Sequence, residues 1–128
     1  MNVLAIDIGG TKLAAGVVDP AGNILARGET PTVAAEGPER VLNRIFRLAR
    51  DVLSAPGVSA DAVGRIGIGC AGPVDRQKGL ILNPPNLPGW IYVPLVEHLE
   101  KALDRPAVLE NDANAAALGE FRYGAGKG

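Results

Sequence analysis

The sequence predicts an α/β domain with a mixed central sheet, in which the elements follow the order β-β-β-α-β-α-β-α. In the first thirty residues, short apolar runs alternate with glycine- or proline-containing turns, a pattern typical of an antiparallel meander. Beyond them, stretches with apolar residues three or four positions apart alternate with short apolar runs, as helices alternate with strands. The 128 residues are enough for one ordinary domain.

The meander is expected to contain strands at 3–8, 13–18 and 24–29. Only residues 9–12, Gly-Gly-Thr-Lys, separate the first two strands, which is too short for a helix and predicts a hairpin. Asp7 lies within the first apolar run, where a buried carboxylate is costly without a partner. A metal-bound phosphate at the turn would supply that partner, whereas the alternative is a tight turn that carries a solvated lysine.

Two amphipathic helices are expected after the meander, one beginning near Pro38 and one spanning about 94–103. His98 lies on the polar face of the second helix, so we expect it to be solvated. The remaining predicted segments are strands at 63–69 and 107–109, an irregular proline-containing stretch at 71–90 and an alanine-rich helix at 112–123.

The charge and the cysteine content narrow the function classes. The 13 basic and 14 acidic residues nearly cancel, so the chain has no basic field for nucleic acid or an anionic membrane. The single cysteine, Cys70, excludes an internal disulfide, and with one histidine it argues against a zinc site within the chain. No apolar run reaches the ~20 residues of a membrane span. Met1 leads directly into a strand without a signal peptide, so a cytoplasmic location is expected.

Two glycine-rich stretches fail as nucleotide motifs. Residues 67–72 match the spacing G-x-G-x-x-G, but Pro73 follows where a dinucleotide site needs the start of a helix. The stretch at 124–128 resembles a P-loop, but Phe121 stands where the pattern needs glycine, and Gly128 where it needs serine or threonine. Neither stretch therefore predicts a phosphate site.

Polar residues at the end of the fifth predicted strand form a third candidate. The segment 110–120, ENDANAAALGE, passes from that strand into a helix, and ligands usually bind at the carboxyl ends of parallel strands. The loop 83–90, NPPNLPGW, adds amide groups and Trp90, and these groups together suit a polyhydroxylated ring. The alternatives are that Asn111 or Asp112 caps the helix, and that Trp90 packs the loop against the second helix.

Four blocks of sequence, in order, resemble the ROK family of bacterial sugar kinases, glucokinase-like proteins and sugar-responsive repressors. They are DIGGTK at 7–12, GIGCAGPVD at 67–75, NPPNLPGW at 83–90 and ENDANAAALGE at 110–120. The resemblance implies that residues 1–128 form the N-terminal lobe, with an actin-like, ribonuclease-H-like fold, of a two-lobed kinase whose second lobe is absent from this chain. It implies ATP-dependent phosphorylation of a hexose, with glucose favoured, by a homo-oligomeric protein, and an isolated lobe that is inactive. The alternatives are the sugar-sensing lobe of a transcriptional regulator, or a kinase for fructose or an N-acetylated hexosamine.

The resemblance also implies roles for single residues. Asp7 matches a residue that faces magnesium through water, and Asp112 matches the general base that takes a proton from the attacking sugar hydroxyl. The implied cofactors are ATP and magnesium, and the implied partners are a sugar and ATP, without nucleic acid or membrane. The residues that match the family's ATP-phosphate motif are Gly9, Gly10, Thr11 and Lys12. The residues that match sugar-site positions are Gly72, Asn86, Asn111 and Asp112.

Overall fold

The structure, a computed structural model, describes residues 1–111 of the chain. The described strands are β1 (Asn2–Ile8), β2 (Lys12–Val18), β3 (Ile24–Pro31), β4 (Val63–Cys70), β5 (Val74–Asp75), β6 (Leu80–Leu82), β7 (Ile91–Val93) and β8 (Ala107–Glu110). The described α-helices are α1 (Pro38–Leu53) and α2 (Leu95–Leu103). The helix expected at 112–123 lies outside the described residues.

A five-stranded mixed sheet in the order β3-β2-β1-β4-β8 forms the centre of the domain. β1 and β2 are antiparallel, as are β2 and β3, so the predicted meander is confirmed. β1, β4 and β8 run parallel to one another. Their carboxyl ends therefore meet at one edge of the sheet, where Ile8, Cys70 and Glu110 end their strands.

The hydrophobic core lies between one face of this sheet and the two helices. Along β1, Leu4, Ile6 and Ile8 alternate with more exposed residues, and all three are buried. Pro38 occupies the first turn of α1, where its missing N–H costs nothing. The predicted apolar face of α1 is confirmed, since its members are all buried: Val41, Ile45, Leu48, Ala49 and Val52. His98 is exposed on α2, as expected.

A second, three-stranded sheet in the order β5-β6-β7 corrects the prediction of an irregular stretch at 71–90. β5 and β6 have two and three residues, respectively, and Pro73 lies directly before β5. Segments this short show no apolar alternation, which explains why the sequence pattern missed them. Within the described part of the chain, no helix has the length and apolar character needed to cross a membrane.

Candidate functional site

The turn between β1 and β2 lies at the carboxyl edge of the sheet and carries the predicted phosphate motif. The Gly9 N–H donates a hydrogen bond to the Lys12 carbonyl at 3.0 Å, which closes the hairpin. Thr11 and Lys12 are exposed, whereas Gly9 and Gly10 are half-buried. The turn therefore presents its polar side chains to solvent on a short, tightly closed backbone.

Thr32, immediately after β3, forms two hydrogen bonds to this turn. Its side chain is fully buried, and its hydroxyl donates to the Gly9 carbonyl at 2.7 Å. Its backbone N–H donates to the Thr11 carbonyl at 2.9 Å. Sequence reasoning missed this residue because its partners lie more than twenty positions away and no local pattern marks it.

An ion pair between Arg44 on α1 and Glu36, which precedes the helix, holds Thr32 in turn. Arg44 donates from Nη1 to the Thr32 carbonyl at 3.0 Å. Its other terminal nitrogen pairs with Glu36, which also accepts a hydrogen bond from Arg40 at 3.3 Å. The turn at 9–12 is thereby connected to the first helix through hydrogen bonds and an ion pair.

The structure corrects the expectation that Asp7 is buried in an apolar strand. Asp7 is exposed, on the face of β1 opposite the helices, where its strand neighbours are Ala14 and Gly69. With Ala14 and Arg27 it lines an open depression of about 200 Å³. Small neighbours leave room around the carboxylate, so it can take a hydrated cation without a buried charge partner.

Cys70, at the end of β4, has a buried thiol whose pKa is affected by the charge of Asp7. Burial of the thiol raises the pKa of Cys70 from its ordinary value of 9.0 to about 11, and the Asp7 carboxylate adds to the effect. The carboxylate acts in this direction because a negative charge disfavours a second negative charge nearby. The thiol is therefore a neutral, buried group at neutral pH rather than a nucleophile.

Lys12 is engaged in an exposed ion pair. Its Nζ lies 3.3 Å from Glu29 Oε2, and the two side chains are 61% and 43% exposed. Arg27 Nη2 also lies near Glu29, at 3.5 Å from Oε1. Exposed pairs of this kind contribute little, so a multiply charged phosphate can displace the carboxylate from Lys12.

The loop at 83–90 packs directly against the turn. A Cβ built on Gly10 would lie 2.8 Å from Asn86 Cβ and 2.9 Å from Asn86 Nδ2, so only glycine fits there. Asn86 is exposed, whereas Leu87 and Trp90 are buried and anchor the loop in the core. Trp90 is fully buried, so it fills the packing role and does not cover a sugar face. Within the described residues, its Nε1 has no hydrogen-bond partner.

A second close approach joins the ends of β4 and β8. A Cβ on Gly72 would lie 3.4 Å from Asn111 Oδ1, so these two predicted sugar-site residues are neighbours. Arg76 Nη1 donates to Glu110 Oε2 at 2.9 Å, and this bond raises the pKa of Arg76. That pair ties the β5–β6 turn to the strand that leads to Asn111. Asp112, the predicted base, lies outside the described residues.

Among residues 1–111, no cluster of three or more histidine, cysteine, aspartate or glutamate side chains could hold a metal. Among these residues, Asp7 therefore belongs to a set of at most two such side chains. That donor set does not suit a zinc centre, which needs several side chains. It fits magnesium, which keeps several waters and is held by one or two carboxylates together with substrate phosphates.

Comparison with known proteins decides the family. The model of the ROK family matches residues 3–128. The chain belongs to the ROK family. It is 43% identical over 129 residues to a glucokinase of Streptomyces coelicolor, a match that covers 98% of this chain and 37% of that protein. It is 42% identical over 123 residues to the N-acetylmannosamine kinase of Escherichia coli K12, covering 95% and 40% of the two chains.

The ROK fold is also apparent in three dimensions. The chain superimposes with a TM-score of 0.78 and 40% identity on a ROK family glucokinase from Streptomyces griseus in complex with glucose and AMPPNP. The match covers 100% of this chain and 38% of that one. The α/β architecture with a mixed sheet is therefore the actin-like, ribonuclease-H-like fold of ROK kinases. The chain spans about two-fifths of the length of the relatives it matches.

Proposed function

We propose that the protein containing this chain transfers a phosphoryl group from ATP to a hydroxyl of a hexose, and that the hexose is glucose. The observation that carries the proposal is the contact between Gly10 in the turn and Asn86 in the loop. It sets a backbone suited to phosphate against an amide suited to sugar hydroxyls. Similarity to the Streptomyces coelicolor glucokinase over 98% of the chain supports the choice of sugar.

On this proposal, the turn binds the nucleotide. The backbone at Gly9 and Gly10 can lie close to the phosphates because neither residue has a side chain to intervene. The Gly9 N–H is bonded to the Lys12 carbonyl, so the backbone donor assigned to a phosphate is the Gly10 N–H. Thr11 offers a hydroxyl donor, and Lys12 offers a positive charge once it leaves Glu29. Asp7 would hold magnesium through water, and the ion would supply neutralisation of phosphate charge.

The sugar would be held by Gly72, Asn86 and Asn111, with Asp112 as the base. A sugar hydroxyl is a poor nucleophile at neutral pH, so a group must accept its proton as the new bond to phosphorus forms. Lys12 is assigned to the phosphates, Asp7 is assigned to the metal, and Glu110 is paired with Arg76. Asp112 directly follows Asn111 in sequence and is the carboxylate left for this role.

The role of Asp112 is tested by replacing it with asparagine in the full-length protein. Asp112→Asn keeps the size and the hydrogen-bonding oxygen but removes the basicity. We expect kcat to fall ~10²-fold or more, because a positioned base contributes about that much, while the sugar still binds. Turnover and calorimetric sugar binding are measured on the same variant. Undiminished turnover would show that the base lies elsewhere.

An N-acetylated hexosamine is the second candidate substrate. The 42% identity to the Escherichia coli N-acetylmannosamine kinase, over 95% of this chain, favours it. A coupled assay of ADP release with glucose and with N-acetylmannosamine separates the two. We expect the higher kcat/KM with glucose, and the reverse order would reassign the substrate. Tight sugar binding without any turnover would instead favour a sugar-sensing role.

A further inference from the structure

Apart from Cys70 and Trp90, Thr32 is the only side chain with a polar group that is buried among the described residues. A buried hydroxyl is costly unless it is hydrogen-bonded. The hydroxyl of Thr32 donates its hydrogen bond to one backbone carbonyl, that of Gly9 in the turn. A valine of the same shape would satisfy the packing alone. The hydroxyl therefore does something that packing does not require.

The two bonds from Thr32 bracket Gly10. The hydroxyl holds the Gly9 carbonyl at 2.7 Å, and the backbone N–H holds the Thr11 carbonyl at 2.9 Å. Gly10 lies between these fixed points. Thr32 itself is held from the helix side, because Arg44 donates to its carbonyl at 3.0 Å.

The geometry of the peptide unit determines which way the Gly10 N–H then points. The Gly9 carbonyl and the Gly10 N–H belong to the same peptide unit, which is planar and trans, so the two groups point in opposite directions. A hydroxyl that holds the Gly9 carbonyl toward the buried side consequently turns the Gly10 N–H toward the open side of the turn. A backbone N–H in a glycine-rich turn is the kind of donor that binds an anion.

We propose that Thr32 is a positioning residue for the nucleotide turn, and that its hydroxyl fixes the Gly9–Gly10 peptide so that the Gly10 N–H faces a phosphate of ATP. This role rests on the proposed kinase function. Thr32 touches neither substrate in this proposal and acts only through the peptide that it orients.

The experiment compares three variants of the full-length protein. Thr32→Val removes the hydroxyl and keeps the shape, Thr32→Ser keeps the hydroxyl, and Thr30→Val makes the same change at a half-buried position of β3. We expect Thr32→Val to raise KM for ATP about 10-fold, the equivalent of one lost hydrogen bond, with KM for the sugar unchanged. Thr32→Ser should restore KM for ATP to within about 2-fold of wild type, and Thr30→Val should match wild type.

Equal KM values for ATP in Thr32→Val and Thr30→Val would overturn the positioning role, since a purely structural threonine would behave in this way. If Thr32→Val does not fold, Arg44→Gln is the variant that tests the positioning role. It removes the guanidinium that donates to the Thr32 carbonyl from α1. An increase of about 3-fold in KM for ATP alone then supports the role, and no change overturns it. A wild-type protein without sugar-dependent ATP turnover refutes the kinase function instead, a result distinct from either of these.

Discussion

Lys12 is the residue whose charge bears most directly on the proposed function. In the structure it pairs with Glu29, and both side chains are largely solvated. We expect Lys12→Ala in the full-length protein to raise KM for ATP about 10-fold while sugar affinity stays the same, because a charge-assisted bond to phosphate is lost. Steady-state kinetics with each substrate varied in turn measure both values.

Lys101→Ala is the matched control for this prediction. Lys101 is also exposed and also pairs with a glutamate, Glu97, at 3.2 Å, but it lies on α2 away from the turn. It should leave KM for ATP unchanged. Wild-type kinetics in Lys12→Ala would mean that Lys12 is only a solvated turn residue.

Cys70 carries a pH dependence whose sign follows from its surroundings. The thiol is 1% exposed and its pKa is about 11 in the folded chain, against 9.0 as its ordinary value. Its contribution to stability is complete below pH 9.0 and is lost as the pH rises through about 11, because only the unfolded thiol ionises in between. Between about pH 8 and about pH 10.5, the free energy of unfolding should therefore fall by about 2 kcal/mol more than it would without the thiol.

Urea unfolding of the wild-type chain and of Cys70→Ala, at about pH 8 and about pH 10.5, measures this difference. Lysines and tyrosines titrate in both proteins, so the difference between their pH dependences isolates the thiol. Parallel pH dependences in the two proteins would show that the thiol ionises equally in the folded and unfolded states.

Among the secondary-structure elements, the connection from α2 to β8 depends on Arg105. Its guanidinium donates three hydrogen bonds to backbone carbonyls, at 2.6 Å to Val63, 2.7 Å to Leu103 and 2.7 Å to Ala60. These bonds join the end of α2 to the start of β4. Arg105→Met keeps the apolar stem and should lower the free energy of unfolding by ~1–3 kcal/mol, measured by urea unfolding.

Arg47→Met on the exposed side of α1 is the control, and it should change the free energy of unfolding by about 0.5 kcal/mol or less. An equally small effect of Arg105→Met would mean that water replaces the guanidinium at all three carbonyls. A large effect would identify this connection as a main tie between α2 and the sheet.

Most of the elements that the sequence predicted correctly are long enough to show a pattern. The meander, α1 and α2 show the spacing of their type, whereas β4 and the four-residue β8 were predicted from short apolar runs. The predicted bounds of these strands and of α2 differ from the structure by at most two residues. β5, β6 and β7 have only two or three residues each, so their pairing comes from tertiary contacts. Dependence on tertiary contacts also explains why the sequence did not indicate Thr32, whose hydrogen-bond partners lie in a turn distant in sequence.

Part of the candidate site was predictable for a different reason. Gly10 and Asn86 were singled out by a family resemblance that needs no knowledge of their distance, and the structure brings them into contact. The exposure of Asp7 was not predictable from strand composition, because an apolar run does not reveal which face of the sheet is covered. The ion pair between Lys12 and Glu29 depends on strand register, which the sequence pattern leaves open.

At the scale of the whole molecule, the chain covers about two-fifths of each relative it matches. We expect the 128-residue chain alone to fold, because both described helices cover the sheet, but to show negligible sugar-dependent ATP turnover. Productive alignment of ATP and sugar needs contacts from both sides of a cleft. A coupled assay with purified chain and glucose measures this, with the full-length protein as the positive control.

Robust turnover by the purified chain would show that these residues are sufficient for the reaction.

We also expect the isolated chain to self-associate, since it exposes large apolar side chains, including Ile24, Ile91 and Tyr92, which are 59%, 60% and 68% exposed. Light scattering over a range of concentrations tests this. A constant monomer mass would argue against an apolar docking surface on the chain.

The turn and its support are complete within the first 44 residues, whereas the loop and strand end that face it come from residues 72–111. Gly10 and Asn86 approach each other closely where the two regions meet. Sequence change in the later region can therefore remodel one half of the site while leaving the bonds that shape the other half intact. On the proposed function, such a division lets a lineage vary the sugar it recognises without rebuilding the turn proposed to bind phosphate.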